Sequence, residues 1–158
     1  MGRKFEINPI KFLYFFGISC FIYLIKKPLA KDWLLVFFIK SYYASLVDNL
    51  VVKRGYVQYP TRFQTSVLFD YILFPITCVF YNQLTKDSRI IQCLLKVLYF
   101  SIPMTMAELW LEKNTRLIKY KNGWNWTTTF YSLSFSLLLV RFTMSIIRRI
   151  FDNKYDLS

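Results

Sequence analysis

The chain has 158 residues, the length of one ordinary domain, yet 55% of them are hydrophobic, 20% aromatic and only 19% charged. Soluble domains run at about 45–50% apolar and about 25% charged, so the composition excludes that class in favour of an integral membrane protein. The 21 Lys and Arg against 9 Asp and Glu give a net charge of +12, but these bases punctuate long apolar runs, a pattern that suits anionic lipid headgroups and argues against nucleic acid as a partner.

There is no histidine, which removes the commonest general base and the commonest zinc or haem ligand. No metal site, cofactor or catalytic residue is expected. Cys20, Cys78 and Cys93 each stand alone in an apolar run, as buried reduced thiols do.

Residues Met1 to Lys11 are basic and precede the uncharged run FLYFFGISCFIYLI. A signal peptide would look similar, but no small-x-small cleavage site follows, and Gly17 stands where a lipoprotein site at Cys20 would want Leu. A short first transmembrane helix over about 10–26 is therefore expected, with Lys11 and Lys26 snorkelling to the interfaces. A second helix over about 33–52 follows an Asp32 N-cap and carries Lys40 and Asp48. Ser41, Ala44, Ser45 and Asp48 share one of its faces, which suits close contact with other helices.

The linker VKRGYVQYPTRF, with Gly55 and Pro60, is a surface loop. A third helix over about 66–84 places Ser66, Asp70, Thr77 and Tyr81 on one side, with Pro75 kinking it and freeing the Tyr71 carbonyl. A fourth, over about 90–111, has the clearest polar stripe in Ser101, Thr105, Glu108 and Glu112, and a further kink at Pro103. Helix-forming residues extend it to about Lys121, with Gly123 as the stop. Trp124 and Trp126 mark the return to the interface, and a fifth helix over about 126–147 has Thr127, Tyr131, Ser134, Arg141 and Ser145 as its stripe. The fold expected over residues 1–158 is a single all-α transmembrane bundle of about five helices, without internal repeats.

Charges inside spans cost roughly 2.5–3.5 kcal/mol each at the centre, which makes them functional candidates. At a rise of 1.5 Å per residue, Asp48, Asp70 and Glu108 lie roughly 9, 7 and 11 Å from their helix midpoints, all toward one membrane face. The loops on that face are basic, with Lys53, Arg54 and Arg62 in one and Lys113, Arg116, Lys119 and Lys121 in the other. Lys40, Lys96 and Arg141 fall toward the opposite face and are expected to snorkel outward. The candidate site is this intramembrane polar cluster, Asp48, Asp70, Glu108 and Glu112 together with Arg62, Arg116 and Arg141. If loop arginines pair with the acids, the set is interhelical glue. If Asp70 and Glu108 line a hydrated cavity, they can serve proton or cation movement. Flanking bases are nearly balanced between the faces, with a small excess favouring a cytoplasmic N-terminus if all five helices span.

The runs KDWLLVFFIKSYYASLVDNLVV, VQYPTRF, LFDYILFPITCVFYNQLT, YFSIPMTMAELWLEKNTRLIKYKNGWNW and VRFTMSIIRRI resemble a family of small multi-span membrane proteins of unassigned function from spore-forming Gram-positive bacteria. The resemblance covers most of Lys26 to Arg149, including Asp48, Tyr59, Pro60, Arg62, Asp70, Glu108, Glu112 and the Trp124 to Trp126 segment. It implies a bacterial cell or spore membrane and brings no activity, cofactor or substrate.

Three function classes follow. A structural or assembly component of the membrane, tied to sporulation through the resemblance, leads because the loops are short; it would have a membrane-protein partner or a second copy of itself. A small proton- or cation-coupled transporter or channel subunit using the acidic cluster comes next, supported by Pro75 and Pro103. A membrane enzyme is third, since it would have to work with Asp70, Glu108 or Glu112 and no histidine.

Overall fold

The computed structural model describes residues 3–25, 30–58, 69–114 and 118–155. Among these residues the fold has five helices and one two-stranded ribbon. The helices are α1 (Arg3–Ile25), α2 (Ala30–Lys53), α3 (Phe74–Thr85), α4 (Ile90–Asn114) and α5 (Trp126–Tyr155), and a π-helical turn, Phe69–Leu73, leads directly into α3. The ribbon pairs β1 (Val57–Gln58) antiparallel with β2 (Lys119–Tyr120). Three helices, α2, α4 and α5, are long and apolar enough to cross a membrane, and the bundle architecture matches the expectation from hydropathy.

The main core joins all five helices through Leu24, Val36, Val79, Val97, Val140 and their neighbours. Polarity is inverted around it. Asn82, Thr85 and Ser101 are wholly buried, while Phe15 and Tyr99 are 74% and 76% exposed. Several buried hydroxyls are satisfied within their own helices: Ser41 donates to the Phe37 carbonyl, Ser101 to Val97 and Thr105 to Ser101. Such back-bonding lets small polar residues line a helix contact without a partner across it. Gly17 has a packing role of its own, because a Cβ there would lie 2.3 Å from Cγ2 of Ile72. It lets α1 lie against the π-helical turn.

Several boundaries differ from the sequence expectation for local reasons. Helix α2 starts at Ala30, so Asp32 sits in its first turn instead of capping it. There its carboxylate accepts from Arg148 Nε of α5 at 3.1 Å, with the guanidinium 5.6 Å over the Trp33 ring. The C-terminus of α2 closes with Gly55 at φ +73°. The Gly55 amide donates to the Val52 carbonyl and the Tyr56 amide to that of Val51, the paired bonds of a Schellman stop that favours glycine. Helix α5 starts at an Asn125 N-cap whose Oδ1 accepts the Thr128 amide at 3.1 Å.

The helical extension of α4 to about Lys121 is overturned. The helix ends at Asn114, and Lys119–Tyr120 is a strand paired with Val57–Gln58. Alternation explains the choice, since Ile118 and Tyr120 turn inward while Lys119 stays exposed. A helix there would not bring both inward residues to the second, smaller core of Val57, Phe69, Leu111 and Ile118. Gly123, φ +81°, sits in the turn after β2 together with Asn122, φ +50°. The ribbon ties the loop after α2 to the loop after α4, so these two basic loops meet at one end of the bundle.

Candidate functional site

Beneath the ribbon lies a cavity of about 310 Å³. Its walls come from α2 (Lys40, Ala44, Val47, Asp48), the π-helical turn (Phe69, Asp70), Phe74 of α3, Glu108 of α4, Trp124, and α5 (Thr129, Ser132, Phe135, Ser136). The cavity face of α2 follows helical spacing, with Lys40, Tyr43, Ala44, Val47, Asp48 and Val51 recurring at three and four residues.

The structure brings Asp48, Asp70 and Glu108 of the expected cluster into this one cavity. Glu112, one turn further along α4, is outside the lining. Arg62 and Arg116 fall outside the described residues. Arg141 does not join the acids. Its Nη2 donates to the carbonyls of Thr85 and Lys86, both at 2.9 Å, at the far end of α3, about 22 Å along the helix from Asp70. Lys96 works at the same place, donating to the Leu84 carbonyl and to Ser88 Oγ. Two cations therefore cap the negative end of α3, where helix carbonyls have no intrahelical donors.

Lys40 overturns its expected snorkelling. It is 3% exposed, and its Nζ donates to Ser136 Oγ at 2.7 Å and lies 5.7 Å from the Phe74 ring centroid. The side chain turns inward because it stands one turn from Ala44 and two from Asp48 on the face that packs against α3 and α5. Asp70, 4% exposed, is close enough to act on it electrostatically. Asp70 lies in the π-helical turn just before Pro75. This widened winding precedes the one residue that cannot donate a backbone bond, a setting in which π-turns recur at functional sites.

Glu108 is held by an ordered donor chain. Tyr120 donates to its Oε1 at 2.9 Å, and Thr129 Oγ1 lies 3.4 Å from the same oxygen and 3.1 Å from the Tyr120 hydroxyl. Trp124 Nε1 in turn donates to Thr129 at 2.9 Å. Burial raises the Tyr120 phenol above its usual range, and the Glu108 carboxylate pushes it the same way, so it remains a protonated donor at neutral pH. Among the described residues no cation lies within ion-pair distance of Glu108.

The sequence stripe assigned to α5 is corrected as well. Tyr131 is 70% exposed, while Thr129, Leu133, Leu137, Val140 and Met144 are buried, and Ser132 and Ser136 face the cavity. The missed signal was the run of apolar residues at helical spacing between the hydroxyls. Cys20, Cys78 and Cys93 are free thiols. No protein-family model matches the chain, and neither curated proteins nor solved structures give a significant match.

Proposed function

We propose that the chain is an integral membrane protein whose α2, α4 and α5 cross the bilayer, with α1 and α3 completing a five-helix bundle, and that it takes up a proton or small cation in the cavity beneath the ribbon. It acts as a small cation-coupled transporter or channel subunit. The observation that carries this reading is the convergence of Lys40, Asp48, Asp70 and Glu108, from three separate elements, on one cavity of about 310 Å³. An open volume with charged groups in its walls has room for a solute. The inverted polarity supports the membrane setting, since aromatic and aliphatic faces as exposed as these suit lipid and would associate in water. The family resemblance supports a bacterial cell or spore membrane as the location.

The test is flux in proteoliposomes. Purified full-length protein should dissipate an imposed proton gradient, alone or in exchange for an added cation, faster than protein-free liposomes of the same lipid. Folded, reconstituted protein with no flux under any of these gradients would contradict transport and favour the assembly role.

A further inference from the structure

Resting on the proposed cavity function, and naming its substrate class, we infer that the cation taken up is a small organic ammonium ion, its charge at Glu108 and its apolar body against the aromatic wall. Four observations point this way. The volume, about 310 Å³, is at the lower end of the roughly 300–1,000 Å³ typical of small-molecule sites, and corresponds to about ten waters at roughly 30 Å³ each. A proton or bare metal ion needs a small fraction of it. Most of the lining is apolar, with Phe69, Phe74, Trp124 and Phe135 among its walls; such walls gain little from a hydrated inorganic ion and much from a hydrocarbon body.

The acids are also spread instead of focused. Among the described residues no three acid, cysteine or histidine side chains converge closely enough to hold a metal ion. Finally, the cavity already accommodates one ammonium group, since Lys40 Nζ rests on the Phe74 ring and Ser136 Oγ, the aromatic and hydroxyl contacts that stabilise organic cations. Glu108 has no cation within ion-pair distance among the described residues, which favours a cation over an anion at this end of the cavity. At the Glu108 end both protein donors meet Oε1, which leaves Oε2 to accept from a ligand N–H.

The experiment is calorimetric titration of the full chain, in nanodiscs of zwitterionic lipid, with phenethylammonium, sodium ion and neutral benzyl alcohol. Phenethylammonium should bind at least tenfold more tightly than either control. Glu108→Gln should weaken it at least tenfold, and Glu112→Gln by less than twofold. Should Glu108→Gln fail to fold, Phe135→Leu at an exposed part of the wall should still cost at least threefold. Equal binding of the neutral analogue, or no binding of the ammonium, overturns the inference. If the protein then still carries protons or sodium in liposomes, the cavity function stands and only the substrate class falls. If it carries nothing, both fall.

Discussion

Glu108→Gln is expected to reduce cation or proton flux at least tenfold while leaving the melting temperature in detergent within a few degrees of the parent protein. The substitution keeps the side chain's shape and an acceptor oxygen, so Tyr120 and Thr129, which donate to Oε1 at 2.9 and 3.4 Å, retain their partner. It removes only the charge and the titratable proton. Since no described cation pairs with this carboxylate, no opposite charge is stranded by neutralising it, and large destabilisation is not expected. Glu112→Gln is the internal control. It deletes the same charge one helical turn away, outside the cavity lining, and flux should change by less than twofold. Equal losses in the two variants would mean that net charge at this end of the bundle, and not the cavity, governs transport.

The second large effect is on stability. Arg141→Met should cost about 1.5 kcal/mol, the lower end of the range for hydrogen bonds made by a charged donor, read as a lowered thermal midpoint in detergent. Its guanidinium serves two carbonyls at the end of α3, and Thr85, one of the pair, is completely buried. Methionine fills similar space but removes the charged donor from both carbonyls, of which that of Thr85 keeps only the Ser88 amide among the described residues. Arg141→Lys should recover part of the loss, because it restores a charge and its donors at the negative end of the helix but on a shorter side chain. Flux per folded molecule should be unchanged in both, since Arg141 is at the opposite end of α3 from the acids.

The long apolar helices and the meeting of the two basic loops were legible because both depend on local hydropathy and on helices alternating in direction. The presence of Asp48, Asp70 and Glu108 at one level followed from counting residues along each helix. Lys40 was misplaced by the same counting, which gives depth but not the direction of the side chain. Its spacing from Ala44 and Asp48 held the missing information. Lys119–Tyr120 read as helix because the residues around it favour helix, whereas its strand partner at Val57–Gln58 lies far back in the sequence, and no local pattern reports a non-local pairing. On α5 the polar residues were followed instead of the apolar ones, so Tyr131 was placed inward and Thr129, Ser132 and Ser136 were overlooked. The Glu108 donor chain depends on that misread strand and that overlooked face, which is why only its carboxylate was visible beforehand.

The central claim, a water-accessible cation-selective cavity inside a membrane bundle, is tested most directly by thiol labelling in intact membranes. In a chain freed of Cys20, Cys78 and Cys93, a cysteine at Ser132 faces the cavity, while one at Phe142, 65% exposed on the same helix and outside the lining, should face lipid if the proposed bundle spans the membrane. A thiol reacts as its thiolate, which needs water around it. Ser132→Cys should be labelled by a cationic methanethiosulfonate at least tenfold faster than Phe142→Cys, and faster than by an anionic reagent of similar size. Equal labelling at the two positions, or a preference for the anionic reagent at Ser132→Cys, would contradict the account.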